Sequence, residues 1–347
     1  MIDKFILPRN CTYTEHDWKI FASFWHPVIF VNDIPDDKPA RAKLLDQDLA
    51  LFRTTQGVTV AKDVCAHRGT PLTLGKVEND RLVCMYHGFQ YDCTGKCVFV
   101  PSMGENGRIP ARLKLKTYKS VERYGIIWVC LSDDEPLRPL PEWPLLDDKE
   151  FGSIYYLPNL DFDCSCTRLI ENFCDNAHFG FVHEGTFGNK AGSVVPPLEV
   201  VETDDTLCYE MDYVECRRKL GDPEVNGYTN VNYVKHLTYP FAVDLKVTDK
   251  ETGSETHYYN IDSPVSTKKT RGFIIAQTNA DYFTEAELIE YELAINMEDK
   301  PFVEGQRPEE SPLNIGDEVH VPADIFAVRF RRALREKFGI QAKEYIT

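Results

Sequence analysis

Two short stretches decide how this chain is read: Cys65-Ala66-His67-Arg68-Gly69 and, with sixteen residues between His67 and its first cysteine, Cys84-Met85-Tyr86-His87-Gly88. Each offers one thiol and one imidazole, giving the pattern C-x-H-x16-C-x2-H. A [2Fe–2S] cluster with two cysteines on one iron and two histidines on the other needs that set, and neutral imidazole in place of thiolate raises its reduction potential. A structural Cys2His2 zinc site accepts the same ligands, but common zinc spacings keep the two cysteines together and the two histidines together. The alternation of Cys and His within each pair favours the iron–sulfur cluster. Gly69 and Gly88 stand where the backbone must turn tightly beside the ligands. From about Pro27 to Cys130 the chain runs in short alternating segments broken by turn residues, among them Leu49-Ala-Leu-Phe52, Val58-Thr-Val-Ala61 and Ile126-Ile-Trp-Val129. This is the pattern of a small antiparallel β domain.

The remaining composition sets the frame. The chain has 347 residues, enough for two packed cores, with 39 basic against 55 acidic residues and a net charge of −16. Such an acidic balance argues against nucleic acid or an anionic membrane as partner, because both need clustered Lys and Arg. No stretch approaches the roughly 18–20 apolar residues of a membrane span, and the first residues lack the apolar core of a signal peptide, so a cytoplasmic location is expected. Eleven cysteines, an odd and irregular set, fit reduced or metal-bound thiols better than a disulfide scaffold. Charge is uneven along the chain: residues 1–140 carry 19 basic and 17 acidic residues, leaving 20 and 38 beyond them. The proline- and acid-rich residues 132–150 read as a linker. The division expected is an N-terminal helix over 1–22 packed on the second domain, a cluster domain over 23–135 and a second domain over 136–347.

In the second domain, residues 199–278 return to strands, Thr284-Glu-Ala-Glu287 forms a capping box at the head of a helix running to about 307, and a last helix covers about 323–338. Before the strands stands Asp175-Asn176-Ala177-His178-Phe179-Gly180-Phe181-Val182-His183. Positions five apart do not share a helical face, so His183 must lie past a helix end, with Gly180 permitting a bend. Two imidazoles and one carboxylate on one face of Fe(II) leave open positions for O2 and substrate. Histidines in an aromatic segment are, taken alone, more often packed core residues than ligands.

At these residues the chain resembles the Rieske non-heme iron oxygenases. Their usual Cys-Pro-His-Arg-Gly and Cys-Pro-Tyr-His-Gly-Trp loops are matched with Ala66, Met85 and Phe89 in place of the two prolines and the tryptophan. The resemblance implies that Cys65, His67, Cys84 and His87 bind the [2Fe–2S] cluster. It implies that His178 and His183 bind a mononuclear Fe(II), and that Asp175 accepts a hydrogen bond from a ligand histidine and carries electrons between subunits. Asn172 is read as an outer neighbour of the metal. The segment Glu298-Asp299-Lys300-Pro-Phe-Val-Glu304-Gly-Gln306 resembles the family's Glu-Asp-Lys-x-x-x-Glu-x-Gln pattern. Asp299 is chosen there as third ligand, sharing a face with Ile295 and Phe302, with Glu298 as the alternative. The fold implied is α+β: an all-β Rieske domain followed by a helix-grip catalytic domain of the START/Bet v1 type with an antiparallel sheet, assembled as a head-to-tail homotrimer.

The similarity is greatest to caffeine N-demethylases, vanillate and dicamba O-demethylases and saxitoxin-pathway hydroxylases. The activity implied is that of a terminal oxygenase, which uses O2 and external electrons to hydroxylate an aromatic or heteroaromatic small molecule or to remove an N- or O-methyl group. Ring dihydroxylation is the alternative within the family, and a Rieske electron carrier without its own chemistry the alternative outside it. No Gly-x-Gly-x-x-Gly follows a strand and no plant-type ferredoxin spacing occurs, so NAD(P)H and flavin are expected on a separate ferredoxin or reductase. Arg108, Arg112, Lys114, Lys116, Lys119 and Arg123 offer either a docking patch for that donor or a solvated strand face. Tyr228, Tyr233, His236, Tyr239, Phe241, Tyr258 and Phe273 supply aromatic surface for core and pocket. Cys164, Cys166 and Cys174 match no metal template and read as buried thiols.

Overall fold

The computed structural model describes residues 11–343 apart from 149, 218–219, 221–223 and 282. The chain divides into two compact units, one holding Phe21–Pro139 and the other joining the segment before Phe21 to Leu140 and beyond. The portion of the expected N-terminal helix before residue 11 lies outside the described residues. Its described part is the helix Glu15–Phe21, whose start is fixed where the Thr14 amide and hydroxyl donate to Asp17 and the Asp17 amide donates back to the Thr14 hydroxyl. Asp17 also accepts the amides of Gln341 and Ala342, and Tyr13 bonds Thr167, so this segment is tied to the second unit.

The first unit is built from three antiparallel sheets. One joins His26–Phe30, Ile126–Cys130 and Lys119–Arg123, the next Ala40–Leu44, Gln47–Thr54 and Gly57–Lys62, and the last Lys76–Glu78, Arg81–Cys84, Phe89–Tyr91 and Cys97–Phe99. Three of its hairpins close on two residues at positive φ, Leu45-Asp46, Asn79-Asp80 and Tyr124-Gly125, the tight turns whose twist matches that of paired strands. Ala50, Phe52, Leu72, Leu82, Tyr91 and Val100 form a core against which Cys65 and Cys84 are packed.

The second unit carries an eight-stranded antiparallel sheet. Its order is Ser153–Tyr156, Lys269–Thr278, Glu255–Ser266, Ala242–Asp249, Tyr228–Thr238, Thr206–Cys216 and Val201–Glu202, with Leu160–Phe162 also pairing Lys269–Thr278. Alternation in Thr206–Cys216 buries Leu207, Tyr209, Met211 and Tyr213 on one face. The long helix Glu285–Gly305 begins in the expected capping box, with the Glu287 amide donating to Thr284 Oγ1 and Glu287 accepting the Thr284 amide. Pro301 sits inside it without ending it.

The last helix, Ile325–Glu336, buries Phe326, Phe330, Ala333 and Leu334 together with the charged Arg331. Arg331 donates through Nε and Nη2 to Glu171 at 2.6 and 2.7 Å and pairs with Glu318, which also takes Arg168 at 2.7 Å. This buried two-arginine, two-glutamate network joins the helix Cys166–Cys174 to the C-terminal helix. Among the described residues, no helix is long and apolar enough to cross a membrane.

Candidate active site

The two Cys/His loops of the first unit are built alike. In each, a glycine amide donates to the carbonyl of the cysteine four residues before it, Gly69 to Cys65 at 2.9 Å and Gly88 to Cys84 at 2.8 Å. Both glycines have φ near +70°, and a Cβ at Gly88 would lie 2.9 Å from Pro101. The turns bring His67 Nδ1 and His87 Nδ1 to 3.2 Å at the exposed end, while both cysteines are buried. Phe89, in place of the family's tryptophan, stacks on His67 at 4.5 Å between ring centres. Burial raises the Cys84 pKa, with Cys65 adding to the effect. Two thiols and two converging ring nitrogens are a donor set that fits a [2Fe–2S] cluster of mixed ligation.

In the second unit the helix Cys166–Cys174 ends where Asp175 turns extended, at ψ 150°. Buried Lys235 donates to the carbonyls of Phe173 and Asp175 at 2.6 and 3.3 Å, stabilising the C-terminal end of the helix dipole. Tyr209 donates to the Cys174 carbonyl, fixing the same segment to the sheet. Sequence reasoning missed Lys235, because a lysine in an alternating strand reads as solvent-facing until the sheet's neighbours are known. Burial pushes its pKa down to about 8, against the pull of Cys174, Asp175 and Asp299.

His178 and His183 then cap the two ends of a single helical turn, Phe179–Val182. The bend expected at Gly180 lies earlier, at Asp175. Gly180 is small for another reason: a Cβ there would meet Ser193 Oγ at 2.5 Å and the Asn189 carbonyl at 3.0 Å.

The one-turn helix aims both Nε2 atoms at one point, 3.1 Å apart, and Asp299 Oδ1 lies 3.4 Å from each. The outer Nδ1 atoms are each held by a carboxylate, His178 by Asp175 at 2.8 Å and His183 by Glu298 at 3.0 Å. Those contacts place the ring protons on Nδ1, so two Nε2 lone pairs and a carboxylate oxygen face one another. Lone pairs so arranged repel unless a cation lies between them. Two imidazole nitrogens bound to one cation at about 2.1 Å and at right angles would stand about 3 Å apart. The donors therefore fit a divalent metal, and two imidazoles with one carboxylate suit Fe(II).

Asp299 and Glu298, adjacent in sequence, have different places. Glu298 faces the outer nitrogen of His183 and accepts the Thr186 hydroxyl at 2.8 Å, so it is the orienting acid and not a third donor at the cluster. Asn172 donates to Asp299 Oδ1 at 3.2 Å. Ile295 lines the same cavity as Asp299, but Phe302, expected on that face, is 59% exposed. Burial works against ionisation of Asp175, yet the His178 hydrogen bond and charge, the Ala177 amide and Lys235 together hold its carboxyl below the usual range.

The cluster opens into a cavity of about 420 Å³ between the sheet and the long helix. Of the expected aromatic residues, Tyr233 and Tyr258 line it. Tyr228 is exposed, and Tyr239, Phe241 and Phe273 belong to the core. Three lining acids, Glu215, Asp249 and Glu292, were not anticipated. Of the expected donor patch, Lys116 and Lys119 are paired with Asp133 and Glu135 of the linker, leaving Arg108, Arg112, Lys114 and Arg123 exposed. Cys164, Cys166 and Cys174 are buried thiols, and burial raises each of their pKa values, that of Cys174 to about 12.

Comparison with known proteins adds to this geometry. Residues 24–119 match the Rieske [2Fe-2S] domain and residues 162–338 the vanillate O-demethylase oxygenase C-terminal domain. The methylxanthine N1-demethylase of Pseudomonas putida is 30% identical over 324 residues, 90% of this chain and 88% of the relative. The N3-demethylase of the same organism is 28% identical over 95% of this chain and 91% of its own length. The solved structure of the N1-demethylase with caffeine superposes with a TM-score of 0.83 at 27% identity, covering 95% of this chain and all of the other. Dicamba monooxygenase bound to dicamba, at 22% identity, shares the fold with a TM-score of 0.76 over 91% of this chain and 97% of its own.

Proposed function

We propose, for a chain that belongs to the Rieske oxygenases with a vanillate O-demethylase-type catalytic domain, that it removes an N- or O-bound methyl group from an aromatic or heteroaromatic small molecule in the cytoplasm. The observation that carries this reading is the His178, His183 and Asp299 cluster, which opens into an aromatic-walled cavity next to the long helix.

Overall, O2, two electrons and two protons convert R–X–CH3 to R–XH, formaldehyde and water. One oxygen atom is inserted into a methyl C–H bond, after which the X–C bond of the hydroxymethyl group breaks with its hydroxyl proton passing to X, and the other oxygen atom leaves as water. The [2Fe–2S] cluster supplies electrons singly, and the mononuclear iron, when bound, activates O2.

The protein's own part is to hold and to shield. Asp175 and Glu298 keep the protons of His178 and His183 on Nδ1, so both Nε2 atoms face the metal position. Asn172 steadies the Asp299 oxygen that faces them. The apolar and tyrosine walls exclude bulk water around the reacting carbon.

Cys65, Cys84, His67 and His87 hold the cluster in this reading. A ferredoxin or flavin reductase is the donor, and Arg108, Arg112 and Lys114 are its docking charges. In a head-to-tail homotrimer, Asp175, bonded to His178, would be the group linking this iron site to the cluster held by a neighbouring subunit. The test is His178→Ala. It should abolish formaldehyde release from a panel of methylated aromatics driven by a surrogate reductase, while the visible spectrum of the cluster stays intact. Turnover retained in that variant refutes the assignment.

A further inference from the structure

The walls of the cavity hold two acids where the fold calls for apolar residues. In Thr206–Cys216 the inward register runs Leu207, Tyr209, Met211, Tyr213, and its next place is Glu215. On the long helix the cavity stripe runs Leu288, Tyr291, Glu292, Ile295, Asn296 and Asp299, the spacing of one helical face, with Glu292 near its middle. Glu292 is 8% exposed. Each acid is approached by one tyrosine hydroxyl, Tyr233 at Glu215 and Tyr258 at Glu292.

Among the described residues neither acid forms an ion pair. The nearby Arg217, which also lines the cavity, pairs with Asp249 at 3.3 Å and donates to Thr229. Glu292 is buried and Glu215 partly buried, and Arg217 is close enough to favour the charged form of Glu215 alone; holding either charge away from water costs solvation energy. A neutral ligand entering the cavity would strip the charged carboxylates of water without supplying an opposite charge. Burial raises both carboxyls to about 7; Asp249 adds to the effect at Glu215 and Glu215 adds to it at Glu292, while the tyrosine hydrogen bonds and, at Glu215, the Arg217 charge oppose it.

We infer that the substrate carries a cationic nitrogen, an amine or amidine protonated at neutral pH, seated between Glu215 and Glu292 and against the ring faces of Tyr233, Tyr258 and Tyr291. Carboxylate pairing and cation–π contact are the two interactions that recognise such a group. The inference rests on this cavity being the oxygenase's substrate site. Glu292 stands seven residues, roughly 10 Å along the helix, from Asp299. The charge therefore lies at one end of the substrate and the oxidised carbon at the other.

The test uses an isosteric pair, 4-methoxybenzamidine and 4-methoxybenzamide, binding to the full holoenzyme at pH 8 without reductant. The amidine should bind at least about tenfold more tightly, a gap of about 1.4 kcal/mol. Glu215→Gln with Glu292→Gln should bring the two probes level by weakening the amidine alone. Equal binding of the pair to the unaltered protein overturns the inference, as does a preference that survives both substitutions, or a loss of both probes together. Thermal unfolding of the ligand-free protein is the second measurement. Glu292→Met removes an uncompensated buried charge and should raise Tm, and a lowered Tm would assign Glu292 to the fold instead. Because binding is read without turnover, failure here is distinguishable from failure of the demethylase reading, which His178→Ala and formaldehyde release address.

Discussion

Replacing Glu298 by Leu separates an orienting acid from a metal ligand, and the structure sets the size of the effect. Glu298 Oε2 takes the His183 Nδ1 proton at 3.0 Å and the Thr186 hydroxyl at 2.8 Å. A hydrogen bond to an ionised acceptor contributes about 1.5–3 kcal/mol, roughly 10–100-fold in an equilibrium constant. Loss of a carboxylate behind a metal-bound histidine typically costs roughly 10–100-fold in metal affinity. The Glu298 side chain is 24% exposed, which places the expectation near the lower end, about tenfold. Glu298→Gln keeps an acceptor for Nδ1 and should lose less. Gly185→Ala reaches the same contact from the other side, since a Cβ there would lie 2.5 Å from Glu298 Oε1 and displace it. Asp299→Ala removes a donor at the cluster itself and should release the mononuclear iron altogether. The assay is iron content per cluster after dialysis against graded chelator, with the cluster absorbance as internal standard. If Glu298→Leu empties the site as completely as Asp299→Ala, Glu298 is a ligand and the geometry has been misread. If it changes nothing, the hydrogen bond does no orienting.

Arg331→Met leaves Glu171 and Glu318 short of a buried partner and should destabilise the protein by about 3–5 kcal/mol, lowering Tm by roughly 6–15 °C; an unchanged Tm in calorimetry counts against the network. Cys65→Ser should bleach the visible spectrum of the cluster, whereas Cys164→Ala and Cys166→Ala should leave it unchanged. His26 is buried with Nε2 donating to the Phe21 carbonyl, and burial, partly opposed by that bond, lowers its pKa to about 4. Because this folded value lies below the unfolded one, near 6.5, His26 contributes stability that is fully present above pH 6.5 and is lost as pH falls toward 4, roughly 3 kcal/mol in all. Urea unfolding across that window should show a shallower loss in His26→Gln, and parallel losses would contradict the assignment.

The sequence by itself carried the cluster motif, because Cys65, His67, Cys84 and His87 lie in two tight loops whose chemistry depends on neighbours a few residues apart. It also carried the β character of the first unit, the capping box at Thr284 and the pairing of His178 with His183. Tertiary structure decided what depends on helix phase and on which face of a strand looks inward. Asp299 and Glu298 are chemically near-equivalent side by side, and only the rotation of Glu285–Gly305 against Phe179–Val182 turns one to the Nε2 atoms and the other to Nδ1. Lys235, Glu215 and Glu292 look like ordinary surface charges on a one-dimensional pattern. They become informative once the eight-stranded sheet and the long helix enclose a cavity around them, since only there does a charge without water or a partner carry an energetic cost. Spacing along the chain, read with the family resemblance, points to the metal chemistry, while the substrate's own chemistry is held in contacts between residues far apart in sequence.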